Sequence, residues 1–220
     1  LEMCLIMPND EAELVYLVRS QIIADCIDLR EGAKILRIEK VGDGVRVVLE
    51  TESGEERVDA SHLLVATGRR PNVNGLNLEA AGIAYSDKGI EVDARLRTTN
   101  RKVFAIGDVA GGVQFTHVAG YHAGVVIKNA LFRLPAKADL RSVPWVTYTT
   151  PELAQVGLTE AEASKQGIGF LLLRWPYHEN DRAQAEGKTA GMVEAIVAPK
   201  GHILGCGIVG APAGELLQTW

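Results

Sequence analysis

The chain has 220 residues, of which 47% are apolar and 23% charged, the balance of a soluble protein that buries a core. A net charge of −5 gives no electrostatic case for nucleic acid or an anionic membrane, and no apolar run approaches the roughly 18 residues of a membrane span. Its three cysteines, Cys4, Cys26 and Cys206, contain no close pair, which argues against a disulfide framework or a zinc site. They read as small buried hydrophobes in a reducing cytoplasm. The 23 glycines, about a tenth of the chain against roughly 7% on average, point to tight turns and close backbone approaches.

The chain opens at Leu1 inside an apolar run, with no basic segment and no small-residue cleavage site, and so reads as a cut chain rather than a signal peptide. Residues 11–26 space Leu14, Val15, Val18, Ile22, Ile23 and Cys26 by threes and fours, which predicts an amphipathic helix with Asp10 as its N-cap. Residues 33–41 and 45–51 alternate around Gly42-Asp43-Gly44, a hairpin signal. A strand over 58–66 ends in Leu63-Leu64-Val65-Ala66, a fully apolar run expected to be buried. A short helix is predicted at 76–81, a short strand at 89–92, and a buried strand at 103–106 that ends at Gly107-Asp108. A Gly-rich loop leads to a helix over 117–132, and a connector containing Pro135 spans 133–141. From Pro144 the pattern is strand, helix, strand and hairpin. Thr159-Glu160-Ala161-Glu162 is a capping box, and a last helix starts near Ala213. The joints fall near residues 70 and 142.

Three segments carry chemistry. The run Val103-Phe104-Ala105-Ile106-Gly107-Asp108 delivers Gly and then Asp at a strand's C-terminal end, where ligands bind in open α/β sheets. A carboxylate there accepts hydrogen bonds from sugar or polyol hydroxyls, although the same residues also describe an ordinary strand-ending turn. Leu64-Val65-Ala66-Thr67-Gly68-Arg69-Arg70-Pro71-Asn72 joins a strand to a basic, Pro-stiffened stretch, which alone is equally an exposed loop. Gln114-Phe115-Thr116-His117 opens the long helix, where N–H groups and the helix dipole favour negative charge; alone, His117 also fits a solvent-facing first-turn residue.

Together these residues resemble the class I pyridine nucleotide–disulfide oxidoreductases, particularly the branch of dihydrolipoamide dehydrogenases and mercuric reductases. The resemblance extends through Glu79-Ala80-Ala81-Gly82-Ile83, Thr98-Thr99-Asn100, the stretch from Tyr148 to Thr159, and Leu204-Gly205-Cys206-Gly207-Ile208-Val209-Gly210. It implies an α/β and α+β chain: a partial FAD/NAD(P)-binding Rossmann-like region followed by an α+β dimerisation domain. Residues 1–70 are then the C-terminal part of an NAD(P)-binding domain and 71–142 that of an FAD-binding domain. Residues 143–220 are a dimerisation domain incomplete at its C-terminus. By the same resemblance Asp108, beside Gly107, binds the FAD ribityl chain or nearby hydroxyls, and Gln114, Phe115, Thr116 and His117 contact the flavin. Gly68 with Thr67 contacts the nicotinamide nucleotide, Ile35 lies near its adenine, and Glu2 binds the adenosine ribose, favouring NAD(H) over NADPH.

The implied activity passes electrons between NAD(P)H, FAD and a substrate served by a cysteine pair. Dihydrolipoamide, mercuric ion, glutathione-like disulfides and transhydrogenation all fit, and the implied assembly is a homodimer. The family's cysteine pair, Gly-rich loops and terminal His–Glu pair have no counterpart in these residues, so no catalytic residue is assigned and activity of this stretch alone is not expected. His62, His122, His178 and His202 match no family motif and are given no role. A non-catalytic dimerisation or interaction module is the competing reading, and a flavoprotein without redox cysteines a third.

Overall fold

The computed structural model describes residues 1–2 and 5–219, so the expectation for Cys4 lies outside the described residues. These residues divide into two units, 1–65 with 144–220, and 66–143.

The first unit is built on a five-stranded antiparallel sheet. Its strands are β6 (Trp145–Thr147), β7 (Glu152–Gly157), β8 (Leu171–Pro176), β9 (Met192–Val197) and β10 (Ile203–Gly210), in the order β6-β7-β10-β9-β8. Both faces bury apolar side chains. Ala154, Cys206 and Ile208 pack with Tyr177, Ala183, Ala213 and Leu217 on one face. Ala183 comes from α4 (Asp181–Glu186) and Ala213 from α5 (Ala213–Leu216), while Tyr177 and Leu217 sit in the 3-10 turns before and after them. On the other face Leu153 and Val209 receive Leu14, Val15 and Val18 of α1 (Ala12–Ala24). Each such side chain contributes about 1.5–3 kcal/mol by leaving water. Gly207 is the contact that admits α1, since a Cβ there would collide with the Leu14 side chain.

Helix α1 follows the predicted stripe at Leu14, Val15 and Val18, but Ile23 is exposed, Cys26 lies beyond its end, its N-cap position is Glu11 and no side chain caps it. Asp10 instead accepts the Trp145 indole N–H at 2.6 Å, and its partial burial raises its pKa despite that bond. The capping box opening α3 (Glu160–Lys165) forms as expected, with Thr159 Oγ1 accepting from Glu162 N at 3.1 Å and Glu162 returning the bond at 3.0 Å. Helix α4, capped by Asn180, is absent from the sequence-based expectations because six residues are too few to show a period. The hairpin forms as β1 (Lys34–Val41) and β2 (Gly44–Thr51), and β3 (Gly54–Ala60) completes a small antiparallel sheet.

Several expectations are corrected. The run 63–66 is not a strand and is exposed, Leu64 at 90% and Val65 at 66%. A buried strand needs neighbours to take its backbone groups, and among the described residues none pairs with it. Residues 103–106 likewise make only an isolated bridge between Arg97 and Phe104, with Ala105 buried and Ile106 exposed. Residues 76–81 form turns, not a helix, that place Leu78 against Val73, Ile83, Ile90 and Ala105. Cys26, expected in the core, is exposed at the end of α1, whereas Cys206 is buried and its thiol is pushed up to about 12, chiefly by that burial.

The second unit holds that small core, the two-stranded ribbon β4 (Tyr85–Ser86) and β5 (Gly89–Ile90), and helix α2 (Thr116–Ala130). Val118, His122 and Val125 form the buried stripe of α2; Tyr121, Ile127 and Leu131, expected with them, are exposed.

Candidate functional site

The chain leaves the bridge at Phe104 and turns at Gly107, which opens a 3-10 turn over Gly107–Ala110. Gly107 takes φ +67°, in the left-handed region that side-chain-bearing residues enter at a cost. A Cβ there would stand 2.9 Å from the Ala119 Cβ of α2, so the missing side chain also lets the turn dock on the helix. Its N–H donates to His122 Nδ1 at 3.2 Å, a second tie to α2 in a buried setting. Asp108 follows with its carboxylate about half exposed, and Arg69 Nη1 lies 4.0 Å from Asp108 Oδ2. That loose, exposed pair is worth about 0–1 kcal/mol and leaves the carboxylate able to accept other hydrogen bonds.

Helix α2 begins at Thr116 with Phe115 as N-cap and no side-chain cap. The Phe115 and His117 rings stack at 5.3 Å, and Gln114 is half-buried. A helix start that no side chain caps and that carries no acidic residue in its first turn suits a negatively charged group. The residues proposed around FAD, and Thr67 and Gly68 with them, therefore fall in one unit, tied by the Arg69–Asp108 contact and by the packing of the turn on α2. Thr67 and Gly68 are exposed, and Gly68 takes φ +113° with open space where a Cβ would stand.

Glu2 and Ile35 lie in the other unit. Glu2 N donates to Arg30 O at 2.8 Å and its carbonyl accepts from Ala33 N at 2.9 Å, so it runs beside the start of β1. Ile35 is exposed at the edge of a β-bulge in β1, the kind of irregularity that re-aims a side chain. Sequence reasoning passed over His122: its spacing with Val118 and Val125 marks a core position but not the turn it meets.

The pyridine nucleotide-disulphide oxidoreductase family model matches residues 3–123, more than half of the chain, and the model of that family's dimerisation domain matches residues 143–220. The chain belongs to the pyridine nucleotide-disulphide oxidoreductase family.

Among curated members of this family, a mercuric reductase of Staphylococcus aureus is 34% identical over 95% of the chain and 39% of its own length. A dihydrolipoyl dehydrogenase of Bacillus subtilis is 34% identical over 97% of the chain and 46% of its own length. The chain thus spans less than half the length of these relatives. A solved family member, the Cu(II) complex of the HOCl-induced flavoprotein disulfide reductase RclA from Escherichia coli, superposes with a TM-score of 0.92 at 29% identity. That superposition covers 100% of this chain and 51% of that one. The fold is therefore the family's: a Rossmann-like FAD-binding region and a dimerisation domain. Among the described residues no group of His, Cys, Asp and Glu is placed to hold a metal ion, and no helix is long and apolar enough to cross a membrane.

Proposed function

We propose that this chain is part of an FAD- and NAD(P)-dependent oxidoreductase that passes electrons between the nicotinamide and a dithiol/disulfide or mercuric-ion substrate. Support comes from the relatives' activities and, in the molecule itself, from the Gly107–Asp108 turn. That turn presents a half-exposed carboxylate from a left-handed glycine held against α2. FAD, when bound, supplies the electron transfer; the protein supplies binding, orientation and electrostatics. Asp108 accepts hydrogen bonds from the cofactor's hydroxyls, and the start of α2, with Gln114, Phe115, Thr116 and His117, receives its negative edge. Thr67 and Gly68 bear on the nicotinamide nucleotide, Glu2 and Ile35 on its adenosine half, with the Glu2 carboxylate favouring NAD(H). The domain reading, NAD(P)-binding to residue 70, FAD-binding to 142 and dimerisation beyond, belongs to this proposal, as does a reducing cytoplasm.

In protein expressed from its complete reading frame, Asp108→Ala is expected to raise the FAD dissociation constant by about tenfold or more, the worth of a hydrogen bond to a charged group. Flavin absorbance after gel filtration reads the loss, and unchanged retention ends this role for Asp108. A folded dimer that never takes up flavin would favour the non-catalytic module instead.

The assembly we propose is a homodimer. Leu171, Leu173 and Trp175 of the edge strand β8 are exposed and continue the apolar face that α4 and α5 cover further along the sheet. Trp175 also borders a cavity of about 280 Å³ lined by Tyr177, Arg182, Lys188 and Pro212. A second copy of the chain is the occupant this face suits, given the match to a dimerisation domain. Trp175→Glu is expected to weaken the dimer by about a hundredfold, as loss of a buried aromatic anchor does. Light scattering across a dilution series measures it, and an unmoved dimer–monomer midpoint excludes this strand from the interface.

A further inference from the structure

We infer that His122 is a positioning residue for the cofactor turn: its Nδ1 holds the Gly107 N–H and so sets where the Asp108 carboxylate points. The inference rests on the proposed flavin role of Asp108 for its functional consequence, though not for its structural content.

Gly107 leaves extended backbone for φ +67°, which turns its N–H away from any ladder and towards α2. Both Gly107 and His122 are buried, so water does not replace a missing acceptor there. An unsatisfied buried N–H costs about 1–3 kcal/mol, enough to let the turn relax into another conformation. The Nδ1 acceptor at 3.2 Å removes that cost, and Ala119, one turn earlier on the same helix, closes the other side of the turn. The next residue in the chain is Asp108. One peptide plane therefore separates the fixed N–H from the residue assigned to the cofactor.

The bond dictates a protonation state. Nδ1 accepts only when it carries no proton, so the imidazole is the neutral Nε2–H tautomer. Burial lowers the His122 pKa and favours that state. Of the titratable groups on the two packed elements, Asp108 follows Gly107 on the turn and His117, Tyr121 and Lys128 share α2 with His122; the Tyr121 ring tilts against its own at 6.1 Å. Protonation would aim an N–H at an N–H and release the turn.

The test has a readout independent of flavin. In the 220-residue chain, imidazole 15N shifts at neutral pH are expected to show His122 with an unprotonated Nδ1, and a protonated Nδ1 overturns the inference without any variant. His122→Leu keeps bulk and removes the acceptor; Gly107 amide exchange should then quicken by about tenfold, the worth of one hydrogen bond. His122→Asn, whose Oδ1 can take the place of Nδ1, should restore protection. Exchange unchanged in the Leu variant, or equally fast in both, overturns the inference. In protein from the complete reading frame, flavin retention should fall with His122→Leu and recover with His122→Asn. It should lose in the Asn variant the weakening on acidification that the native residue confers; an identical pH profile counts against His122. If the exchange results hold while Asp108→Ala leaves flavin bound, the positioning of the turn stands and the flavin role of Asp108 falls.

Discussion

Gly107→Val is expected to lower the thermal midpoint of the chain by roughly 6–12 °C, the equivalent of about 3 kcal/mol in a protein of this size. Two costs add. A side-chain-bearing residue at φ +67° is strained by about 1–2 kcal/mol, and a β-branched one fits that region worst. The new Cβ also arrives 2.9 Å from the Ala119 Cβ, so the turn must lift from α2 and the N–H bond to His122 is lost with it. Gly112→Ala supplies the comparison, because Gly112 shares a positive φ of +73° but has open space where a Cβ would stand. Only the conformational cost of about 1 kcal/mol applies there. Equal midpoints for the two variants in a thermal melt followed by circular dichroism would show that the docking of the turn on α2 contributes nothing.

Arg174→Met is the second large effect, and it is pH-dependent. Glu194 is buried on the α1 side of the sheet, with Arg174 Nε 3.0 Å from Glu194 Oε2 and 2.7 Å from Glu13 Oε2. Burial raises the Glu194 pKa, the Arg174 bond opposes that rise, and the charges of Glu11 and Glu13 add to it. Breaking a buried pair from one side costs about 3–5 kcal/mol; Arg174 is more than a third exposed, so we expect about 2–3 kcal/mol at pH 7.5. A carboxyl whose folded pKa lies above its unfolded value contributes stability at low pH that is lost as pH rises through the folded pKa. Removing Arg174 lifts the folded pKa further, so the variant's deficit should shrink as the pH falls towards 5. Urea denaturation at the two pH values measures this, and a deficit independent of pH refutes the account. The double variant Arg174→Met with Glu194→Leu removes both charges and should regain most of the loss.

Local signals in the sequence translated well where the interaction itself is local. The Thr159–Glu162 capping box spans three residues and closes as written. The stripe Leu14, Val15 and Val18 predicts a helix because periodicity needs no knowledge of the partner. The Asp10 cap failed for the opposite reason: a carboxylate near a helix start has competing donors, and the Trp145 indole, 135 positions away, takes it. The segments 63–66 and 103–106 have the composition of sheet strands, but a strand is completed by its neighbours. The candidate site divides in the same way, since Gly107-Asp108 and the helix start at Thr116 are visible as motifs whereas the His122 bond that joins them is not.

Membership of the pyridine nucleotide-disulphide oxidoreductase family, the turn that bears Asp108 and the Leu14, Val15 and Val18 stripe of α1 follow from the order of the residues alone, because motif and periodicity are short-range properties. Tertiary structure alone decided that α1 lies on the C-terminal sheet over Gly207, that Glu194 is buried with Arg174 as its partner, and that a core histidine holds the Asp108 turn. Each joins groups far apart in the chain, through contacts that form only once the backbone has brought their elements together.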